Sequence, residues 1–500
     1  MMTTTEPSPR TYGNWRQPRS PGIAGFGLLG TMVLLGGLVA VITAMMFGGL
    51  IAAAITAGPV AATLGLLSMT DKHGRNAGQR LATRVGWGRA KRRGSRLYRS
   101  GPLGRTPWGS HQLPGLAARS RLIEARDSYG RPFALVYVPQ TNHYTVVLET
   151  QPDGASLVDQ VQVDMWVAGW GQFLAALSNE SHIVAASVTV ETAPDTGARL
   201  RREVELNLDP TSHPLAQAML REAVDTYPAG SASIRAWVAV TSKGLTPSGK
   251  KRSAGEVARD LQARLPGLTS SLSATGAGTA DPVSAAQLCE IIRTCYDPAS
   301  AELFEKAHAM GDPVELDWAD VGPAAHDTHW DSYRHDGCWS VSWSMTQAPR
   351  GLSFSSVLTQ LLSPHPDVDR KRVTLLYRPI SSGVAAGMVE SDKRNAEFRV
   401  NSAQRVSARA ATDLKAASAA ADEEARGAGL VNFGMLVTAT VPDLDRLDDA
   451  KAAIENLSAG ARILLRPVFG SQDCAFAAGL PLGLVLPAHL KVPAALRSIA

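Results

Sequence analysis

The sequence predicts an α+β protein: an N-terminal two-helix transmembrane hairpin followed by a cytoplasmic domain of two β/α sandwich blocks, ferredoxin-like in element order. Three observations carry this expectation. No charged residue occurs between Arg19 and Asp71. Beyond that gap, runs of β-branched and aromatic residues with period two alternate with segments of helical period. The four cysteines, at 289, 295, 338 and 474, are too few in 500 residues for a disulfide framework, as expected of thiols kept reduced in a cytoplasm.

The uncharged gap sets the first element. A helix rises about 1.5 Å per residue and the hydrocarbon core is about 30 Å thick, so one span takes roughly 20 residues. Leu28–Phe47 and Leu50–Met69 are two such stretches, with Phe47-Gly48-Gly49 placed for a tight turn. Gly58-Pro59 falls inside the second, where membrane helices tolerate a proline. Gly25, Gly30 and Gly36-Gly37 would let neighbouring helices approach closely. No small-residue cleavage site follows a short apolar region, so the first span does not read as a signal peptide.

Charge sets the orientation. Arg10, Arg16 and Arg19 precede the hairpin; Lys72, Arg75, Arg80, Arg84, Arg89, Lys91, Arg92, Arg93, Arg96, Arg99 and Arg105 follow it, against Asp71 alone. Basic flanks stay on the cytoplasmic side, so the expectation is a multi-pass inner-membrane protein with both termini inside. Residues 1–105 hold 14 basic and two acidic side chains, leaving 36 basic and 43 acidic in the remainder. The segment Lys72–Arg99 is therefore expected to touch anionic lipid, and the acidic remainder speaks against sequence-specific nucleic-acid binding.

The soluble elements follow in order. Phe133–Val138 and Tyr144–Leu148 read as a hairpin, then a helix over Asp159–Leu177, a strand over His182–Val190, a helix over Pro214–Thr226, a strand over Ile234–Val240 and a helix over Ala254–Leu265. Thr269–Pro282, rich in Ser, Thr, Gly and Ala, reads as a linker, and Ser284–Cys295 as a helix with Cys289 and Cys295 as small core residues. The second block has strands at Trp339–Met345, Val373–Tyr377, Val431–Val441 and Ala461–Pro467. Its helices are expected at Phe354–Leu362, Ala386–Arg426 and Leu444–Asn456. The expected organisation is a tail (1–22), hairpin (23–69), basic segment (70–110), first block (111–268), linker and helical region (269–337) and second block (338–500).

Few motifs suggest chemistry. Gly244-Leu-Thr-Pro-Ser-Gly249-Lys250-Lys251 sits where a phosphate loop would, but Lys251 replaces the Mg²⁺-binding hydroxyl and Pro247 removes an N–H donor. It is read as an inactive basic loop, with a membrane-bound NTPase as the alternative. His326-x-x-His329 and His335-x-x-Cys338 have metal-ligand spacing, but Trp330, Tyr333 and Trp339 interleave them, so they read as an aromatic loop packed under a sheet. No catalytic residue, cofactor or metal is expected.

Several stretches carry a resemblance. They are Val321-Gly-Pro323, Trp330-x-x-Tyr333-x-x-Asp336-Gly337, the strand through Trp343, and Gly470-Ser-Gln-Asp-Cys-Ala-Phe-Ala-Ala-Gly-Leu-Pro-Leu-Gly483. With the hairpin, they resemble an inner-membrane hairpin subunit of type IV secretion joined to the N-terminal domain of the secretion ATPase. An actinobacterial conjugative-element membrane family has this pattern without the ATPase core. The resemblance implies a non-catalytic adaptor, a homo- or hetero-oligomer with other inner-membrane subunits, that docks a separately encoded ATPase. Leu480, Pro481, Leu482, Leu484 and Leu486 are expected near that docking surface. A core subunit of a type VII secretion system is the alternative within transport.

Overall fold

The computed structural model describes residues 10–13, 15, 27–69, 71, 73–102, 104, 106–152, 154, 157–195, 197–226, 232–246, 248–349, 351–402 and 407–490. Arg16, Arg19, Gly25, Lys72, Arg105 and Pro247 lie outside the described residues, so the expectations placed on them are not addressed. The protein is a mixed α/β structure with one large antiparallel sheet and one long apolar N-terminal helix.

That helix, α1 (Gly27–Ser68), leaves helical geometry at Gly49, where φ is 72° and ψ −170°. Its flanks are exposed: Phe47, Leu50 and Ile51 are each more than three-quarters accessible. A short turn leads to α2 (Ala77–Arg93), capped by Asn76 Oδ1 accepting from Gln79 N at 2.8 Å and closed by Gly94 in the left-handed region. Strand β1 (Leu97–Arg99) follows.

The first block contains β2 (Arg121–Arg126), β3 (Pro132–Val138), β4 (His143–Gln151), α3 (Gln160–Asn179), β5 (Ile183–Pro194), α4 (Ala198–Asn207), α5 (Pro214–Thr226), β6 (Ala232–Lys243), α6 (Ala254–Ser273) and β7 (Thr279–Pro282). Helices α7 (Ala285–Tyr296) and α8 (Ser300–Met310) and strands β8 (Ala325–Thr328) and β9 (Tyr333–His335) lead to the second. That block contains β10 (Cys338–Gln347), α9 (Thr359–Leu362), β11 (Arg370–Pro379), α10 (Ser382–Asn401), α11 (Ala408–Ala425), β12 (Val431–Val441), α12 (Leu447–Gly460) and β13 (Leu464–Pro467). Two short helices, α13 (Gln472–Ala478) and α14 (Leu486–His489), close the described chain.

Both blocks use one strand order. In the first, β5, β6, β4 and β7 are successive neighbours, all antiparallel; in the second, β11, β12, β10 and β13 are. Between the second and third strand of each set comes a helical pair, α4–α5 or α10–α11. The blocks join edge to edge, β5 against β11 from Lys371↔Thr192 to Tyr377↔Ala186. The joined sheet runs β1-β8-β9-β10-β12-β11-β5-β6-β4-β3-β2.

Burial on both faces explains the composition of the central strands. Phe133, Leu135, Val146, Leu148, Val238 and Val240 face a core shared with Leu261 and Leu265 of α6. Val437, Ala439 and Val441 face Leu447 and Ile454 of α12. A fully buried side chain of this size contributes about 1.5–3 kcal/mol. The opposite face carries Ala134, Val136, Val147, Trp237 and Ala239, covered by α7 and by Phe476, Leu480 and Leu482.

Three expectations are corrected. Thr269–Pro282 is no linker: α6 continues to Ser273 with Leu272 fully buried, and β7 pairs with β4. The helix expected over Ala386–Arg426 is two helices, α10 and α11, packed through small residues such as Ala396 and Ala417. Leu480, Pro481, Leu482 and Leu484 are buried and Leu486 is half-buried, so this run is core and offers no free docking surface.

Candidate functional site: a basic surface beside the apolar helix

Described segments on either side of α1 contact the two blocks. On the incoming side, Tyr12 forms a bridge with Ser353, and the Tyr12 hydroxyl donates to Asp164 Oδ1 of α3 at 3.0 Å. Trp15 meets Phe433 of β12 edge-on, centroids 5.2 Å apart. On the outgoing side, Asp71 Oδ1 accepts from the backbone N–H groups of His73 and Arg75, at 2.9 and 3.0 Å. Arg466 of β13 is held below the usual guanidinium range, by burial first and by the charge of Arg75 second.

Helix α2 rests on the same block. Trp87 meets Trp330, which stacks on Phe469, with centroids 6.1 and 5.5 Å apart. Gly470 turns at φ 74°, the left-handed region that favours glycine, and a Cβ there would lie 3.1 Å from Trp330 Cζ3 and in ordinary contact with Thr83 Cγ2 at 3.5 Å. Half a turn away from Trp87, Leu81, Val85, Arg89 and Arg92 form an exposed stripe at helical spacing. Lys91, Arg92 and Arg93 fill the last turn, where cations favour the carbonyl end of the helix dipole.

The structure thus sorts the expected surface residues. Arg80, Arg84, Arg89, Lys91, Arg92, Arg93 and Arg99 are exposed. Arg75 is half-buried at the turn. Arg96 points into the fold and pairs with Asp327 of β8 at 3.4 Å. Pairing of β1 with β8, Tyr98 opposite His326, couples the basic segment rigidly to the sheet.

The loop Gly244–Lys251 spends its donors internally. Thr246 N donates to Lys250 O (2.8 Å), Gly249 N to Thr246 O (2.9 Å), and Lys250 N to Thr246 Oγ1 (3.0 Å). Arg252 N returns to Gly244 O at 2.9 Å. A phosphate cradle needs such N–H groups turned outward. Lys250 and Lys251 stand exposed on this closed turn.

The His/Cys segment is an aromatic cluster. His335 is fully buried, its Nδ1 2.6 Å from Tyr296 O and its Nε2 2.8 Å from Ser340 Oγ, so both ring nitrogens are occupied. Burial pushes its pKa down to about 3. His326 stacks on Tyr98, centroids 5.2 Å apart. Among the described residues no group of three or more His, Cys, Asp or Glu is placed to hold a metal.

Sequence reasoning missed the feature that joins the blocks. Glu191 of β5 meets Arg370 Nη1 at 2.6 Å and Arg372 Nη1 at 3.4 Å across the β5–β11 seam, all three side chains at most 10% exposed. Arg372 also lies over Phe476, 4.6 Å from its centroid. Hydroxyl pairs line this face of the sheet: Ser340–Thr440, Ser342–Thr438, Thr189–Thr374 and Thr145–Thr241, at 2.7 to 3.1 Å. The strap from Gln472 to Gly483 crosses them. Gln472 bonds both backbone groups of Ser342, Thr374 donates to Gly479 O, and Thr241 donates to Gly483 O. Glu191 and the two arginines were the available signal, being charged residues at alternate strand positions opposite one another.

Fold and surface define a class: a mixed α/β protein with one candidate membrane-spanning helix near its N-terminus and a basic helix directly after it. A family model described as a domain of unknown function (DUF8461) matches residues 19–79, the stretch that holds α1 and the start of α2. No curated protein matches the chain.

Proposed function

We propose that this protein is a membrane-anchored, non-catalytic adaptor, with α1 folded back as a two-helix hairpin and both termini on the cytoplasmic side. The carrying observation is the proximity of Gly37 to Val60: a Cβ on Gly37 would meet Val60 Cγ1 at 2.4 Å. On a straight helix, residues 23 apart would be separated by about 35 Å. The break at Gly49 and the contacts of Trp15 with Phe433 and of Trp87 with Trp330, on either side of α1 in the chain, support the same reading. The positive flanks support cytoplasmic termini, and the exposed arginines of α2 support contact with anionic lipid.

The soluble part is then two ferredoxin-like blocks, each with a helical pair inserted between its second and third strands. The shared neighbour order, second-third-first-fourth and all antiparallel, supports this. The resemblance of Val321–Trp343 and Gly470–Gly483 supports a place in a conjugative type IV-like apparatus, holding a separately encoded ATPase among other inner-membrane subunits. With Leu480–Leu484 buried, the ATPase must dock on another face of the double block. Topology reporters fused at Thr5 and at Gly115 should both signal cytoplasm; a periplasmic signal at either site overturns the hairpin.

A further inference from the structure

We infer that the end of the sheet from which the tethers leave is itself a membrane-contacting edge, formed by the apolar cluster Leu352–Phe354–Phe433 and the basic loop Gly244–Lys251, and that its partner is an anionic bilayer. The inference rests on the membrane-anchor reading and extends it from α1 and α2 to the double block.

Strand direction places the two parts together. Phe433 opposes Tyr377 on β11, Tyr377 opposes Ala186 on β5, and Ile183 opposes Ser242 on β6. The chain end of β6, from which Gly244–Lys251 springs, therefore lies on the same edge as Phe433. Three strand spacings separate them, about 14 Å. The Leu352–Phe354 turn follows the end of β10 and is held on this edge by the Tyr12–Ser353 bridge.

The side chains on this edge fit an interface. Leu352, Phe354 and Phe433 are 57%, 53% and 38% exposed, around a Trp15 that is itself 43% exposed. Trp15 meets Phe433 edge-on, so the segment that precedes α1 in the chain is part of the patch. Leu245, bridged to Lys251 at the base of the loop, is 38% exposed, with Lys243, Lys250 and Lys251 exposed around it. An exposed apolar side chain among lysines suits acyl chains beside it and phosphates around it. The opposite ends of the same strands carry Asp367 and Asp369 before β11 and Asp443, Asp445, Asp448 and Asp449 after β12. On this edge Lys243, Lys250 and Lys251 carry the attraction to an anionic surface, against Asp422, Glu423 and Glu424 where α11 returns to β12.

The test uses the full chain in vesicles of phosphatidylcholine and phosphatidylglycerol. An environment-sensitive fluorophore is placed, one site at a time, at Phe354→Cys, Leu245→Cys, Met46→Cys and Leu303→Cys, with the labelled parent chain as background. Leu303 is exposed on α8, which packs on α4 beyond the far end of β5. Brominated acyl chains should quench the labels at 354 and 245, with blue-shifted emission approaching that at 46, and leave 303 unchanged. Quenching at 46 with none at 354 or none at 245 overturns the single membrane-contacting edge while leaving the anchor standing. Absence of quenching at 46 overturns the anchor and this inference together.

Discussion

The two blocks share a strand order but are built unequally. In the first, a 20-residue helix, α3, connects the first two strands; in the second, a 3₁₀ turn and the four-residue α9 do so. Each connection reaches across the seam: α3 packs against β11 of the second block, and α9 against β5 of the first. Helix α6 starts with a full capping box on Ser253 and Glu256, whereas its counterpart α12 starts with no side-chain cap. The comparison teaches that each block finishes part of its neighbour's surface. The seam then matters more than either block's own helices, and three perturbations grade that claim.

The largest effect belongs to the seam. Glu191→Gln removes the carboxylate that pairs with Arg370 and Arg372 among the described residues, leaving two buried guanidinium groups without it. Losing one partner of a buried ion pair typically costs about 3–5 kcal/mol. Thermal unfolding of the purified protein in detergent should show that loss; a midpoint equal to the parent's would mean the seam contributes little.

Truncations within each block come next. Leu265→Ala in α6 and Ile454→Ala in α12 both empty fully buried positions, at about 2–5 kcal/mol each. If the seam couples the blocks, each substitution lowers the same transition. If the blocks unfold apart, calorimetry resolves two transitions and each variant moves only one.

The smallest effect tests the helix caps. Ser253→Ala deletes the hydroxyl that accepts from Glu256 N at 3.3 Å, for a cost of about 1 kcal/mol. A shift of the whole transition means the first block's cap serves both halves; a separate early transition of α6, seen by hydrogen exchange, would localise it.

Much of the fold was legible in the sequence, for physical reasons. The charge-free stretch marks α1 because an uncharged apolar run of this length is read directly from composition. Val431–Val441 matches β12 and Pro214–Thr226 matches α5 residue for residue, since alternation and helical period are local signals. Long-range packing was not legible. Ser340, Ser342, Thr438 and Thr440 alternate with apolar neighbours and read as a solvent face, yet the strap buries them and their hydroxyls satisfy one another. Leu480 and Leu482 look like an exposed apolar run for the same reason, because what they bury against lies more than 200 residues earlier, at Trp237 and Ala239. Ala198–Asn207 gives a weak helical signal in the sequence, because its charges leave α4 only one shallow apolar edge. Of the candidate surface, the arginines of α2 were visible as composition, while the diversion of Arg96 into a pair with Asp327 depends on β1 joining β8.

The strap has a consequence for biogenesis. Gln472–Gly483 follows every strand it covers, so a ribosome making about 5–20 residues per second completes both blocks before the piece that seals them emerges. Until then Thr374, Thr241 and Ser342 lack their partners from the strap, and Phe476 is missing from above Arg372. By that stage α1 has long left the ribosome. The nascent sheet would therefore wait with its polar face open, and the strap, made after every strand it covers, acts as the fastener that ends its exposure to chaperones and proteases.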